Sequence, residues 1–527
     1  MRDFSRRMVL EGLVGAAGAA VLAGCSSGVT PRTVVSARPV TGNPVSRENQ
    51  LPGTTAWMVN HEGLKPTNDA VGQIQGFASA TSARVGERLA FFVSTALPQA
   101  YTISIHRMGY YAGAGGRLMT SSPKLQGFPQ RALRVDPGNG MIECPWQQSW
   151  SLEIPKTWLS GLYLACFTSA DGHRAVTPFV VRDDRQAEFK VVLPFTTYQA
   201  YNLFPNCGVG RSLYYGFLSS AQSPLVQKVS PDGHAYPVRT VPGQKYVMHY
   251  PERARTVSFR RPYSDHGFPK VFGIDLSFVM WAESQGYDLS YATSLDLDAG
   301  SVDPSRHRAL LFPGHDEYWS SSMRRVAEAA VRSGTHLAYF ASNNVYWKIR
   351  TGTGDSGFSQ MTCYKDDHDP VQDPTGATTM WRRVRPDRSE AEQGLLGTQY
   401  NGILDRAVPL VVTEPGHWFW SGTGLAAGDR VTNLVVGEAD GLTPGMPRPA
   451  GAREQTLLSA SKFLYGKEPA VQNTSVYQSA GGSWIFTAGT FGWTAALTAA
   501  PVPNPFCTPV DARIQHATQN LMSRLRS

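Results

Sequence analysis

Between residues 309 and 340 the chain alternates in a way that leaves few folds open. The apolar run Ala309-Leu310-Leu311-Phe312 predicts a strand, residues from about Ser321 to Arg332 predict a helix that Gly334 stops, and His336-Leu337-Ala338-Tyr339-Phe340 predicts a second strand. Two neighbouring strands joined through a helix run parallel, because only a crossover can bring the chain back to the same edge. The alternation recurs on both sides. Lys190-Val191-Val192-Leu193-Pro194 reads as a strand, about Asp275 to Gln285 as a helix ended by Gly286, and Tyr287 to Tyr291 as a strand. Ser483 to Gly489 adds one more strand and Asp511 to Arg526 a closing helix. The expectation is an α/β fold over residues 185–527, a doubly wound, mostly parallel sheet of the Rossmann or glutamine-amidotransferase-like kind. Residues from about 351 to 460, rich in Gly, Pro and Asp, read as a loop-rich insertion.

The stretch from 56 to 184 has another rhythm. Arg88 to Ser94, Tyr101 to Ile105, Gly161 to Cys166 and His173 to Arg182 are short strand patterns bounded by Gly and Pro, which suggests an N-terminal, Ig-like β-sandwich. Gly113-Ala114-Gly115-Gly116 is read as a turn rather than a phosphate cradle, since no P-loop Lys follows. Residues 26–55, rich in Ser, Thr, Pro, Gly and Asn, read as a flexible tether.

The first 25 residues read as an address. Arg6-Arg7 followed by a short apolar run fits a twin-arginine export signal, and Leu22-Ala23-Gly24-Cys25 fits a lipobox whose Cys25 is lipidated. The implied location is extracytoplasmic, with the protein anchored to a bacterial cell membrane. The other five cysteines form no CxxC, and Cys144 with Cys166 is the first pair to consider for a disulfide. The net charge of +8 comes from 38 Arg and 11 Lys that are scattered rather than clustered, so it gives no nucleic-acid footprint. No GxSxG, HExxH or Walker loop occurs, and the common Ser-hydrolase, zincin and NTPase chemistries therefore lack their signatures.

Loops at the carboxyl ends of parallel strands are where open sheets hold ligands. Three such loops carry functional groups here: Tyr198, Tyr201 and Asn202; then His315, Asp316 and Glu317; then Asn343 and Asn344. The set is hard oxygen donors plus one imidazole, with no thiolate, which suits an oxygen-preferring metal. A phenolate ligand calls for a strongly charged cation such as ferric iron, because free Tyr ionises only near pH ~10.

Four segments then carry a resemblance: Phe195-Thr196-Thr197-Tyr198-Gln199-Ala200-Tyr201-Asn202, Ser258-Phe259-Arg260-Arg261-Pro262-Tyr263, Gly314 to Trp319, and Ala341-Ser342-Asn343-Asn344. From about residue 186 onward the chain resembles the large-subunit family of N,N-dimethylformamidase. The resemblance implies a mononuclear Fe(III) held by two Tyr and one Glu, and hydrolysis of a small amide. It implies Glu317 as the carboxylate ligand, His315 and Asn343 as catalytic groups, and Tyr201 and Tyr263 as the phenolic ligands, with Tyr198 and Tyr236 as alternatives. It also implies a separate small subunit as a partner. The rival reading is a non-catalytic envelope lipoprotein that binds glycan or protein. Trp418, Trp420 and Trp493 would form its sugar platform if they were not core, and Asp366-Asp367-His368-Asp369 is an acidic turn that could otherwise take a divalent cation.

Overall fold

Strand Gly161–Ser169 is buried along nearly its whole length, so both of its faces must be covered. Tyr163, Ala165 and Phe167 point into one apolar cluster, whereas Leu162, Leu164 and Cys166 point into another. Period-two alternation sends successive side chains to opposite faces, and here both faces are apolar. This strand is therefore the middle of a three-layer stack. The computed structural model describes residues 42–219, 238–241, 244–365, 368–373, 375–502, 506 and 508–527.

The first layer is a three-stranded antiparallel sheet of β1 (Ile74–Ala78), β2 (Arg88–Thr95) and a later strand, Trp150–Glu153. The second is a seven-stranded sheet built on β3 (Gln99–Met108), β4 (Gly116–Ser121), β6 (Gly161–Ser169) and β7 (His173–Arg182), the label β5 going to Trp150–Glu153 of the first layer. Phe91 and Val93 of β2 meet Ile103, Ile105, Phe167 and Phe179 between the two layers.

The third layer lies against the far face of β6 and β7. It is a seven-stranded mixed sheet containing β8 (Phe189–Leu193), β9 (Leu289–Thr293), β10 (Ala309–Phe312), β12 (His336–Tyr339), β16 (Gln455–Leu457), β17 (Ser475–Gln478) and β18 (Trp484–Thr487). The spatial order is β9-β8-β10-β12-β18-β17-β16, and pairing is parallel from β9 to β18 and antiparallel beyond. Helices α1 (Phe195–Tyr201), α2 (Phe272–Ser284), α3 (Ser294–Asp298), α4 (Ser321–Arg332) and α5 (Ala512–Arg524) pack around it. The remaining numbers belong to strands outside this sheet: β11 (Tyr318–Ser320) pairs with β13 (Trp347–Thr353), and β14 (Gln399–Ile403) pairs with β15 (Glu438–Gly441). Helix α4 starts where Ser320 Oγ accepts the Met323 amide at 3.1 Å, and it ends before Gly334, whose φ of +94° only glycine takes easily.

This architecture corrects the expected fold class. The chain is mostly β, with 33% strand and 17% helix spread over many small antiparallel and mixed sheets, and it is not a doubly wound parallel α/β fold of the Rossmann or glutamine-amidotransferase-like kind. The reason lies in the connections. A doubly wound sheet needs a helical crossover between successive parallel strands, but between β12 and β18 the chain runs through residues 340–483 as short ladders and turns. The sheet is then finished by antiparallel strands.

Two further expectations change, the tether and the disulfide. Within the stretch read as a tether, Pro44–Glu48 forms a short helix capped by Asn43, Val45 is fully buried, and Asn49 donates to Glu283 at 2.7 Å. Cys144 and Cys166 are buried free thiols in different apolar clusters, so the disulfide does not form. Trp420 and Trp493 are core residues and Trp418 lies half-covered beneath Arg524, which leaves no ring platform. Asp369 is tied to Arg350 at 2.7 Å, while Asp366 and Asp367 lie outside the described residues. No helix among the described residues is long and apolar enough to cross a membrane. Cys25, Tyr236 and the arginine pair also lie outside the described residues.

Candidate active site

Strands β8, β10 and β12 are neighbours in the third layer, and their carboxyl ends deliver α1, the 313–317 loop and the 340–345 loop to one place. The 313–317 loop is stitched on both sides. Thr197 Oγ1 of α1 accepts the Glu317 amide at 2.9 Å, and Asn344 Oδ1 accepts the Asp316 amide at 2.9 Å. Gly314 is required at its position: a Cβ there would sit 2.3 Å from Asp275 Oδ1. In the third loop Asn343 and Val345 both have φ of 54°. A β-branched residue at positive φ is strained, and such strain concentrates at functional sites.

These loops surround the Glu317 carboxylate, which is fully buried. Tyr214 OH lies 2.7 Å from each of its oxygens, Tyr201 OH lies 2.8 Å from Oε2, and the two phenol oxygens are 3.0 Å apart. The rings of Tyr201 and Tyr214 stack with centroids 4.4 Å apart. Four short oxygen–oxygen contacts are thus served by only two hydroxyl protons. Oxygens this close are also spaced like adjacent ligands of a small cation, for which bonds of about 2.0–2.1 Å put neighbouring oxygens about 2.9 Å apart. The donor set therefore fits a hard, highly charged metal. Among the described residues no group of three or more His, Cys, Asp or Glu is arranged to hold a metal, so the phenols would be essential to any such site.

His315 stands beside this cluster, its Nε2 3.2 Å from Glu317 Oε2, 3.3 Å from Tyr201 OH and 3.7 Å from Glu438 Oε2. Its Nδ1 is 3.0 Å from the Ser342 carbonyl, which can only accept, so Nδ1 carries a proton and Nε2 is the exchanging atom. Burial alone would lower the imidazole pKa, but the hydrogen bond to Glu317 and the charges of Glu438 and Glu317 outweigh it and raise it. Burial and the Glu317 charge push the Tyr201 phenol far above its usual range. Asp316 points elsewhere, and burial pushes its carboxyl up to about 8.

Asn343 Nδ2 donates to Glu438 Oε2 at 2.6 Å, and its backbone amide donates to Asp440 Oδ1 at 2.7 Å. The structure thus brings Tyr201, His315, Glu317 and Asn343 together. It does not bring Tyr263 with them. Tyr263 is buried in the apolar cluster that also holds Tyr198, its phenol raised by burial against the opposing pull of Arg261, and among the described residues no hydrogen bond joins it to Glu317. Tyr198 donates to Asp275 at 2.7 Å and does not reach the carboxylate.

Two members of the group escaped the sequence reading. Tyr214 lies in the turn Ser212-Leu213-Tyr214-Tyr215, off any strand end, and no periodicity marks it. Glu438 lies in the stretch read as loop-rich insertion. Its signal was an acid, with Asp440 two residues on, at the end of the apolar run Leu434-Val435-Val436, since a carboxylate in such a run is buried with a partner or not buried at all.

Comparison with known proteins adds independent information. Residues 102–506 match the family model described as N,N-dimethylformamidase beta subunit-like, C-terminal, so the match begins inside the second layer rather than near residue 186. One relative, the N,N-dimethylformamidase beta subunit of Paracoccus aminophilus, is 22% identical over 216 residues, covering 39% of this chain and 28% of that protein. Two solved structures align weakly. One is a beta-glucosidase from Listeria innocua in complex with laminaribiose, at 9% identity and TM-score 0.14, covering 21% of this chain and 16% of the other. The second is a cycloisomaltooligosaccharide glucanotransferase from Paenibacillus sp., at 8% identity and TM-score 0.17, covering 64% and 61%. Neither carries an argument about this chain.

Proposed function

The chain belongs to the N,N-dimethylformamidase beta subunit-like family, and from that premise we propose that it is a hydrolase of a small amide or a related C–N bond, with iron held by Tyr201, Tyr214 and Glu317. The observation that carries this reading is the convergence of two phenols and one buried carboxylate within 3.0 Å of one another. Tyr214 takes the place first given to Tyr263 because it alone of the two touches Glu317. A ferric ion bound there would supply Lewis acidity toward an amide carbonyl.

The chain's own residues handle the protons. Amide hydrolysis must move a proton from water to the departing nitrogen, and His315 Nε2 is placed to take it and return it, with Nδ1 locked on Ser342. Glu438, 3.7 Å away, stabilises the imidazolium during that interval. The same carboxylate fixes the amide plane of Asn343, which leaves that side chain poised as a hydrogen-bond donor to an oxygen gaining charge. The relative is named as a beta subunit, and we extend the proposal to a partner subunit for this chain.

Elemental analysis of purified wild type, Tyr214→Phe, Glu317→Ala and Tyr263→Phe tests this, together with amine release from N,N-dimethylformamide. Iron should be present in wild type and Tyr263→Phe and missing from the other two. Wild-type iron content in Tyr214→Phe and Glu317→Ala would rule out the ligand set.

A further inference from the structure

The stacked phenols are bracketed by cations. Lys365 Nζ lies 3.2 Å from the centroid of Tyr214, and Lys270 Nζ lies 5.0 Å from the centroid of Tyr201. With the two rings only 4.4 Å apart, neither ammonium can lie between them, so each takes the outer face of its ring. The resulting order is Lys365, Tyr214, Tyr201, Lys270. Lys365 is only 6% exposed, and Tyr318 and Trp347 present further rings 5.2 and 5.0 Å from its ammonium. Its backbone, at φ of 66°, accepts a conformation that non-glycine residues avoid, and its amide is fixed on Thr378 O at 3.1 Å. The buried ammonium is thus held in place by the chain rather than left to find the ring.

We propose that Lys365, with Lys270 in a lesser part, is a positioning residue for the phenol pair: its charge pins the Tyr214 ring against Tyr201 and draws electron density from the ring whose oxygen faces Glu317. Two physical consequences follow. A cation on a ring face is attracted to the ring's quadrupole, more strongly when desolvated, so the stack loses its order when the charge is removed. The same cation makes the phenol oxygen a poorer electron donor, which leaves an oxygen-bound metal a stronger Lewis acid. The second consequence rests on the function proposed above; the first does not.

The test compares Lys365→Met, which keeps the side chain's length and removes its charge, with Lys365→Arg, which keeps the charge, and with Lys270→Met, whose half-buried site tolerates the change. In metal-free protein the near-ultraviolet circular dichroism of the tyrosines should weaken in Lys365→Met, weaken less in Lys270→Met and recover in Lys365→Arg. In iron-loaded protein the phenol-to-iron absorption band should move to longer wavelength in Lys365→Met. Turnover of N,N-dimethylformamide should fall about tenfold in kcat with KM unchanged, the change that about 1.4 kcal/mol makes. Wild type without iron would defeat the function proposed above while the metal-free dichroism still decides the role of Lys365. If Lys365→Met does not fold, Lys270→Met carries the comparison. Dichroism, band and kcat all unchanged in a folded Met variant would overturn the inference.

Discussion

Replacing Glu283 with Ala would leave a buried positive charge without its counter-ion. Glu283 of α2 and Arg107 of β3 are both wholly buried and paired through two hydrogen bonds, Nη1 to Oε2 at 2.9 Å and Nη2 to Oε1 at 2.7 Å. The same carboxylate accepts Tyr291 OH at 2.7 Å and Asn49 Nδ2 at 2.7 Å, so four donors converge on it. It joins the second layer to the helix whose Asp275 lies against Gly314. Removing one partner of a buried pair costs about 3–5 kcal/mol, because the surviving charge stays desolvated. The orphaned Tyr291 and Asn49 add to this, while water entering the vacated space offsets part of it. The expected loss for Glu283→Ala is therefore at least about 3 kcal/mol. The double variant Arg107→Met, Glu283→Ala removes both charges and should cost less than the two single losses added, with a coupling of about 2 kcal/mol or more. Urea unfolding followed by Trp fluorescence measures all four corners of the cycle. A loss below about 1 kcal/mol in Glu283→Ala, or a double variant worse than the two single losses combined, would refute the reasoning.

Gly314→Ala should destabilise by about 1–3 kcal/mol, because its Cβ would overlap the buried Asp275 carboxyl and neither group has room to move. Adding Asp275→Ser should recover part of the loss, and a Gly314→Ala melt identical to wild type would refute the contact. His106 is buried beside Arg174, and burial first and that charge second lower its pKa to about 4 from 6.5. Its neutral form is the one that folds, so stability is intact above pH 6.5 and falls as pH drops toward 4, by at most about 3 kcal/mol. In His106→Gln this acid loss should shrink; equal losses in both proteins between pH 6.5 and 4.5 would exclude His106 as a source. Cys25→Ser should abolish labelling by radioactive palmitate in a bacterial host and release the protein from the membrane fraction, whereas unchanged labelling would exclude lipidation at Cys25.

What the sequence disclosed and what it hid divide along a physical line. Strands β3, β7, β10 and β12 and helices α2 and α4 form close to where apolar period and glycine stops put them, because those signals act within a few residues. The fold class is a property of connections, and it turned on residues 340–483. There the strands are only a few residues long, and their pairing depends on partners far along the chain, so no local pattern could reveal that the sheet would close with antiparallel strands. The site divides the same way. Tyr201, His315, Glu317 and Asn343 sit at the ends of readable strands, and a parallel sheet brings such ends to one edge. Tyr214 and Glu438 arrive from a turn and from a two-stranded ladder whose strands are far apart in sequence, where only the folded chain sets proximity. Tyr263 shows the converse: the family resemblance implied it as a ligand, and packing puts its ring in the core. In this chain a strand-end position marks His315 and Glu317 as candidates, whereas finding Tyr214 requires the three-dimensional neighbours of Glu317. That is why the iron content of Tyr214→Phe discriminates more sharply than that of Glu317→Ala: loss in the latter is expected for any metal at this carboxylate, while loss in the former requires the stacked pair.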